Sequence, residues 1–264
     1  GGTTGLIYGF VNDGFYTVDD FKPFDSKSRT WTLKDGVVNS SPLSGDPRPG
    51  NAKFKKLTPV DENSANPYTL TDDDRTVIGN TTPKFSGGFG LNATFKGFDV
   101  SAFFNFMYDF DVFNANKVMM TTWASNNYNN FSMDISAAKR WRNFDDMGNE
   151  IRYSPEILAE FNKNATMWNP TSIGRPIAMS YAVEDGSFLR LNTATIGYTL
   201  PRAWTNKVGL SRVRFYASGY NLFTITGYSG YDPEVDIATG LTPNIDNNRY
   251  PRSRTYTFGV QLTF

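Results

Sequence analysis

The sequence predicts an all-β fold: antiparallel strands of a large transmembrane β-barrel with long extracellular loops. Three observations predict it. Segments of about 11 and 15 residues alternate apolar and polar side chains, the period of a strand with one apolar face. Aromatic residues make up 16% of the 264-residue chain, with 22 Phe and 14 Tyr. Long and short connections alternate between the strands, as in barrels with short periplasmic turns and longer outer loops.

From Phe85 the odd positions read Phe85, Gly87, Phe89, Leu91, Ala93 and Phe95, against Ser86, Gly88, Gly90, Asn92 and Thr94. Lys96-Gly97 is a two-residue turn signal. The alternation resumes on Phe98, Val100, Ala102, Phe104, Phe106, Tyr108, Phe110 and Val112, opposite Asp99, Ser101, Asn105, Asp109 and Asp111. Strands are therefore expected over about 84–95 and 98–112. Three more are expected over 187–200, 212–226 and 253–264. In the first of these, Ala194, Ile196, Tyr198 and Leu200 share a face. The register before Asn192 stays open, because Leu189 and Leu191 fall on the opposite parity. In the last, Tyr256, Phe258, Val260, Leu262 and Phe264 alternate with Thr and Gln.

Residues 1–83 are rich in Gly, Pro, Asp, Asn, Ser and Thr, and read as an extracellular loop region. Residues 113–186 and 227–252 form two further long loops, with short helices expected at Met133–Trp141 and Pro155–Lys163. With 1–83 outside, the strands run down, up, down, up and down, and Phe264 falls in the periplasm. Five strands cannot close a barrel, and open edges in lipid leave backbone groups unpaired. Residues outside this chain are expected to complete it. The start at Gly1, with no Met or signal peptide, points the same way. A soluble β-sandwich is the alternative fold, but its strands average about 5–6 residues.

Composition excludes several chemistries. The chain has no Cys and no His, which removes disulfides, thiolate metal sites and Ser-His-Asp catalysis. Lys+Arg and Asp+Glu are each 26, so no nucleic-acid partner is expected. No apolar run approaches the length of a membrane helix. The carboxylates Glu156, Glu160, Asp232 and Glu234 show no spacing that marks a glycosidase pair. No catalytic residue is assigned and no enzyme is expected. Asp99, Asp109, Asp111, Arg212 and Arg214 are expected to face the lumen or the interfaces, because a charge facing lipid at the midplane costs about 2–4 kcal/mol. Tyr198, Tyr256 and Phe264 suit interfacial aromatic girdles.

Five segments in order carry a family resemblance: GLIYGFVNDGFYTVDDF (5–21), DRTVIGNTTPKFSGGFG (74–90), SFLRLNTATIGYTLP (187–201), SGYNLFTITGYSGYDPEV (218–235) and YPRSRTYTFGVQLTF (250–264). Together they resemble the C-terminal quarter of SusC/RagA-like TonB-dependent outer-membrane transporters of Bacteroidetes. The resemblance implies a barrel of about 22 strands plugged by an N-terminal domain. It implies a Gram-negative outer-membrane location and import of oligosaccharides or peptides. The partners it implies are a SusD-like lipoprotein lid, TonB-ExbB-ExbD, the barrel assembly machinery and the lipid bilayer. Tyr256, Phe258, Val260, Leu262 and Phe264 resemble the assembly signal. Trp123, Tyr128, Trp141, Trp168, Tyr228 and Tyr231, in the long loops, suit stacking on a substrate or contact with the lid. Many family members carry a calcium-like acidic segment before the second motif. Here Asp61, Asn63, Asp72 and Asp74 supply oxygens without the turn glycines and are the calcium candidate; no other cofactor is expected. The competing reading is a surface-exposed, adhesin-like β protein without a transport role.

Overall fold

The structure is a computed structural model that describes residues 4–122, 130–174, 176–235 and 244–264. In chain order the strands are β1 (Leu6–Gly9), β2 (Asn12–Phe15), β3 (Ala52–Phe54), β4 (Thr76–Asn80), β5 (Phe85–Phe95) and β6 (Phe98–Tyr108). They continue with β7 (Asp111–Asn114), β8 (Val183–Asp185), β9 (Phe188–Thr199), β10 (Arg212–Thr226), β11 (Ile245–Asp246) and β12 (Thr255–Thr263). The helices are short: α1 (Ser41–Ser44), α2 (Ala115–Met119), α3 (Pro155–Phe161) and α4 (Arg202–Thr205). The chain forms two compact units. One holds Gly1–Gly5, Asn80–Val112 and Glu184–Phe264; the other holds Leu6–Gly79 and Phe113–Val183.

The first unit is built on a five-stranded antiparallel sheet in the order β12-β10-β9-β6-β5. β5 and β6 are joined by Lys96 (φ 48°) and Gly97 (φ 87°). Both central residues have positive φ, as a type I′ hairpin turn requires. A Cβ at Gly97 would lie 2.8 Å from the Thr199 carbonyl oxygen, so the position accepts only glycine. β12 pairs with β10 from Arg212↔Thr263 to Tyr220↔Thr255, and the Ser211 N–H donates to the Thr263 carbonyl at 2.8 Å. Phe264 therefore lies at the same end of the sheet as turns 96–97 and 201–211. The long insertions leave from the opposite end, where β5 and β9 begin and β6 ends.

Cross-strand pairing sorts the side chains by face. Phe98, Tyr198, Phe215 and Val260 form one rung, and Val100, Ile196, Ala217 and Phe258 the next. The other face carries Asp99, Gly197, Tyr216 and Gly259, then Ser101, Thr195, Ser218 and Thr257. The apolar face is open: Phe258 is 80% exposed, and Phe98, Ile196 and Phe215 are about half exposed. A bulge settles the parity of β9. The register shifts between Phe103 and Phe104, and on β10 between Tyr220 and Phe223, with Asn221 at φ 52°. Asn192 is the extra residue of β9. Leu191 then aligns with Phe104 and Phe223, and Leu189 with Phe106 and Ile225, returning both leucines to the apolar face.

The expected strand 98–112 is shorter than its alternation suggests. Asp109 has φ 58° and ends β6 at Tyr108. Phe110 and Val112 do not continue the apolar face. They are buried in a small core with Phe188, Tyr228 and Val235, against Met107.

The second unit is where the two long insertions fold on each other. Phe10, Leu43, Phe54 and Leu70 from residues 6–79 share one core with Val118, Ile135, Trp168, Ile173 and Met179 from residues 113–183. Phe10 bridges Met179, its N–H donating to the Ala178 carbonyl at 2.9 Å. Tyr16 is fully buried; its hydroxyl donates to the Val38 carbonyl at 2.6 Å and accepts from the Ser40 N–H at 2.9 Å. β1 pairs with β4 and β2 with β3. Pro155 starts α3, and its Leu158 packs with Trp141 and Ile151. The expected helix at Met133–Trp141 is only a single 3₁₀ turn, Met133–Ile135. Trp141 instead donates its backbone N–H to the Met167 carbonyl at 2.8 Å.

Candidate functional site

On the polar face of the sheet, β6 and β10 flank β9 and join across it. Arg214 grips Asp99 through two hydrogen bonds, Nε to Oδ1 at 2.9 Å and Nη2 to Oδ2. The pair lies over Gly197. A Cβ there would come within 2.4 Å of the guanidinium and 2.6 Å of the carboxylate. A glycine in a strand interior normally weakens it, and here it makes room for a cross-strand ionic bridge. Arg212 has the same parity at the start of β10 and reaches Thr199 Oγ1 at 3.5 Å. Asp109 and Asp111 lie beyond the end of β6, because the left-handed turn at Asp109 breaks the parity. Asp109 pairs with Lys84, and Asp111 accepts from the Asn80 N–H at 2.7 Å.

A second ionic cluster went unnoticed in the sequence. Arg190, 2% exposed, holds Asp232 at 2.5 Å and approaches Glu234 at 3.7 Å; Arg252 reaches the other Glu234 oxygen at 2.7 Å. Asp232 also accepts from the Glu234 N–H at 2.9 Å. Buried charges persist only when paired, so this cluster pins segment 232–235 to β9. These are two of the four carboxylates weighed as a hydrolytic pair. Their shared guanidinium makes them a structural tie. The only sequence signal was an arginine that shares the parity of Ala194 and Ile196, where the plain alternation would put its charge on the apolar face.

The aromatic residues divide. Trp141, Trp168 and Tyr228 were expected to meet substrate or lid, and all three are buried. Trp168 and Trp141 belong to the two cores of the second unit. Tyr228 packs on Phe110 and Phe188, and its hydroxyl donates to Asp246 at 2.6 Å. Burial first, then that hydrogen bond to a carboxylate, push its phenol well above the ordinary tyrosine value. Tyr231 is 83% exposed. Trp123 and Tyr128 lie outside the described residues.

The calcium candidate is not assembled. Asp74 has no exposed surface and accepts from Leu57 N–H (2.9 Å), Thr58 N–H (2.8 Å), Thr58 Oγ1 (2.7 Å), Thr71 N–H (2.8 Å) and Lys56 Nζ (3.3 Å). Burial alone would raise its pKa. The donors from Thr58, Thr71 and Leu57 outweigh it and hold the carboxyl far below the usual range. Asp72 is paired outward with Arg75 at 2.7 Å, and Asp61 caps the Asn63 N–H at 3.0 Å. The four residues do not converge, so they do not fit a shell of 6–8 oxygens. Among the described residues no group of three or more acidic side chains is arranged to hold a metal.

On β12, Tyr256, Phe258, Val260 and Leu262 all lie exposed on the apolar face, with Phe264 exposed just beyond it.

No family model matches the sequence. Among curated proteins, TonB-dependent receptor P3 of Formosa agariphila is 30% identical over 270 residues, spanning all of this chain and 22% of that receptor. TonB-dependent receptor SusC of Bacteroides thetaiotaomicron is 32% identical over 164 residues, 57% of this chain and 15% of SusC. The chain belongs to the SusC/RagA-like TonB-dependent receptors. Solved structures agree on the fold. The RagAB peptide transporter superposes with a TM-score of 0.60 at 22% identity, over 100% of this chain and 23% of that one. The RagAB peptide importer in its open-open state gives 0.59 at 22% identity, over 97% and 22%. The chain thus spans about a fifth of its relatives' length, and its long strands are antiparallel strands of a large transmembrane β-barrel. These relatives are receptors and importers by name, not enzymes.

Proposed function

We propose that this chain supplies C-terminal wall strands and outer loops of an outer-membrane nutrient importer in a Gram-negative bacterium. The observation that carries this reading is the sheet's continuous open apolar face, Phe98, Ile196, Phe215 and Phe258, backed by a polar face with Asp99 and Arg214. A face of that kind suits lipid on one side and a hydrated lumen on the other. The remaining strands and the plug close the barrel, TonB-ExbB-ExbD powers uptake, and a SusD-like lipoprotein caps the loops. Substrates are oligosaccharides or peptides. The peptide importer RagAB and the receptor SusC, similar in fold and sequence, support this. Tyr256, Phe258, Val260, Leu262 and Phe264 form the strand read by the barrel assembly machinery. Arg212 joins Asp99 and Arg214 on the lumen side.

The test is uptake of fluorescent oligosaccharides and oligopeptides by cells with and without the full-length receptor, each with and without TonB. Uptake of at least one class should disappear when either is removed. Uptake unchanged in both deletions, with surface binding lost, would replace import by the adhesin-like reading.

A further inference from the structure

The second unit carries a cleft of about 480 Å³, partly open to solvent and within the size range of small-ligand sites. Its wall carries Arg29, Arg48 and Arg152 against a single carboxylate, Asp46. Arg152 is tied to Glu150 at 2.5 Å. Arg29 and Arg48 form no ion pair among the described residues. Two unpaired guanidiniums and a third arginine outnumber the one carboxylate on this concave wall, so it attracts an anion, which each guanidinium can bind through paired N–H donors.

Aromatic rings complete the site. Trp31 and Tyr153 line it, and both are fixed by packing: Trp31 against Phe21 and Phe24, Tyr153 against Phe24 with centroids 6.1 Å apart. Arg29 and Arg152 sit 5.3 and 5.8 Å from the Tyr153 centroid, so that ring also orients two of the cations. Hydroxyl and amide side chains, among them Thr30, Asn51, Asn143 and Thr171, make up much of the remaining wall. None of the lining residues belongs to a strand, and Thr30, which makes an isolated bridge, already spends its N–H and carbonyl on Asp25, so backbone pairing with a peptide is not favoured here. Fixed rings, many hydroxyl-matching groups and free guanidiniums suit a sugar bearing negative charge.

We propose that this cavity binds an acidic oligosaccharide. Arg29 and Arg48 hold its carboxylate or sulfate, and Trp31 and Tyr153 pack against a sugar ring. The site lies within the second unit alone and does not depend on import.

The test is calorimetric titration of the full-length receptor in detergent with four probes: tetragalacturonate, a sulfated carrageenan tetrasaccharide, maltotetraose and hexaglutamate. One acidic sugar or both should bind saturably, at least tenfold tighter than maltotetraose and hexaglutamate; which one binds separates carboxylate from sulfate. The double variant Arg29→Gln/Arg48→Gln should weaken that binding roughly tenfold or more. Lys27→Gln, an exposed cation of the same turn outside the cavity lining, should leave it unchanged. Hydrogen exchange on the unsubstituted receptor checks the site without relying on a variant: residues 29–31 and 48–51 should gain protection when the acidic sugar is added. The proposal is overturned by no acidic-sugar binding, by equal affinity for maltotetraose or hexaglutamate, by an unaffected double variant, or by protection absent from those residues. A receptor that imports nothing but passes these tests leaves the cavity assignment standing.

Discussion

Replacing Asp74 with Ala removes the acceptor around which residues 56–74 are organised. Its carboxylate takes N–H bonds from Leu57, Thr58 and Thr71, a hydroxyl from Thr58 and the ammonium of Lys56, which is itself only 9% exposed. Hydrogen bonds to a charged acceptor contribute about 1.5–3 kcal/mol each and do not add. Removing one member of a buried ion pair costs about 3–5 kcal/mol, and that is the expected local loss. Because tenfold corresponds to about 1.4 kcal/mol, amide exchange at Leu57, Thr58 and Thr71 should accelerate roughly a hundredfold or more. Asp74→Asn, which keeps the shape and loses the charge, should fall between. The pH dependence has a definite sign. The folded carboxyl is held below its unfolded value of about 3.9, so its stabilisation is complete above that pH. It is lost as the pH falls below that value and through the folded one. Protection should therefore be flat from about pH 5 upward and collapse in acid in the native receptor, but not in the Ala variant. Exchange at Thr58 and Thr71 changing less than about threefold in Asp74→Ala would refute the reasoning.

Two further outcomes test the sheet and its anchor. Phe258→Arg puts a charge on the open apolar face near the middle of β12 and should cost about 2–4 kcal/mol in urea unfolding of the liposome-inserted receptor. Thr257→Arg, one residue away on the polar face, should cost little; equal effects would reverse the face assignment. Arg190→Met leaves Asp232 and Glu234 without their shared buried cation, and an expected loss of about 3–5 kcal/mol should appear as protease cleavage within 229–235. Unchanged resistance there would show that the cluster does not anchor the segment.

Some of this was legible along the chain because strand chemistry is local. The period of two from Phe85 to Phe95 needs only neighbouring residues, and Lys96-Gly97 carries its own turn geometry. The same locality misleads at Asp109. Phe110 and Val112 keep perfect alternation, yet one residue in the left-handed region moves them into a core with Phe188 and Tyr228. Leu189 and Leu191 looked out of step until the bulge at Asn192 restored their parity, and a bulge exists only relative to a partner strand. Exposure is equally nonlocal. Trp141 and Trp168 read as loop aromatics, but their burial depends on segments more than 100 residues away, such as Phe15 and Phe54.

The sequence by itself determined the class of the chain: long alternating strands, the order of long and short connections, the exclusion of His and Cys chemistry, and the family. The first three follow from residue type and spacing, which the strand period turns directly into faces; the family follows from the resemblance of five segments in order. Only the tertiary structure decided that residues 6–79 and 113–183 are one unit, that Arg190 is the partner of Asp232 and Glu234, and that three arginines converge on one cavity. Those facts rest on contacts between residues remote in the chain. Burial and charge compensation are properties of such contacts, and no local pattern encodes them.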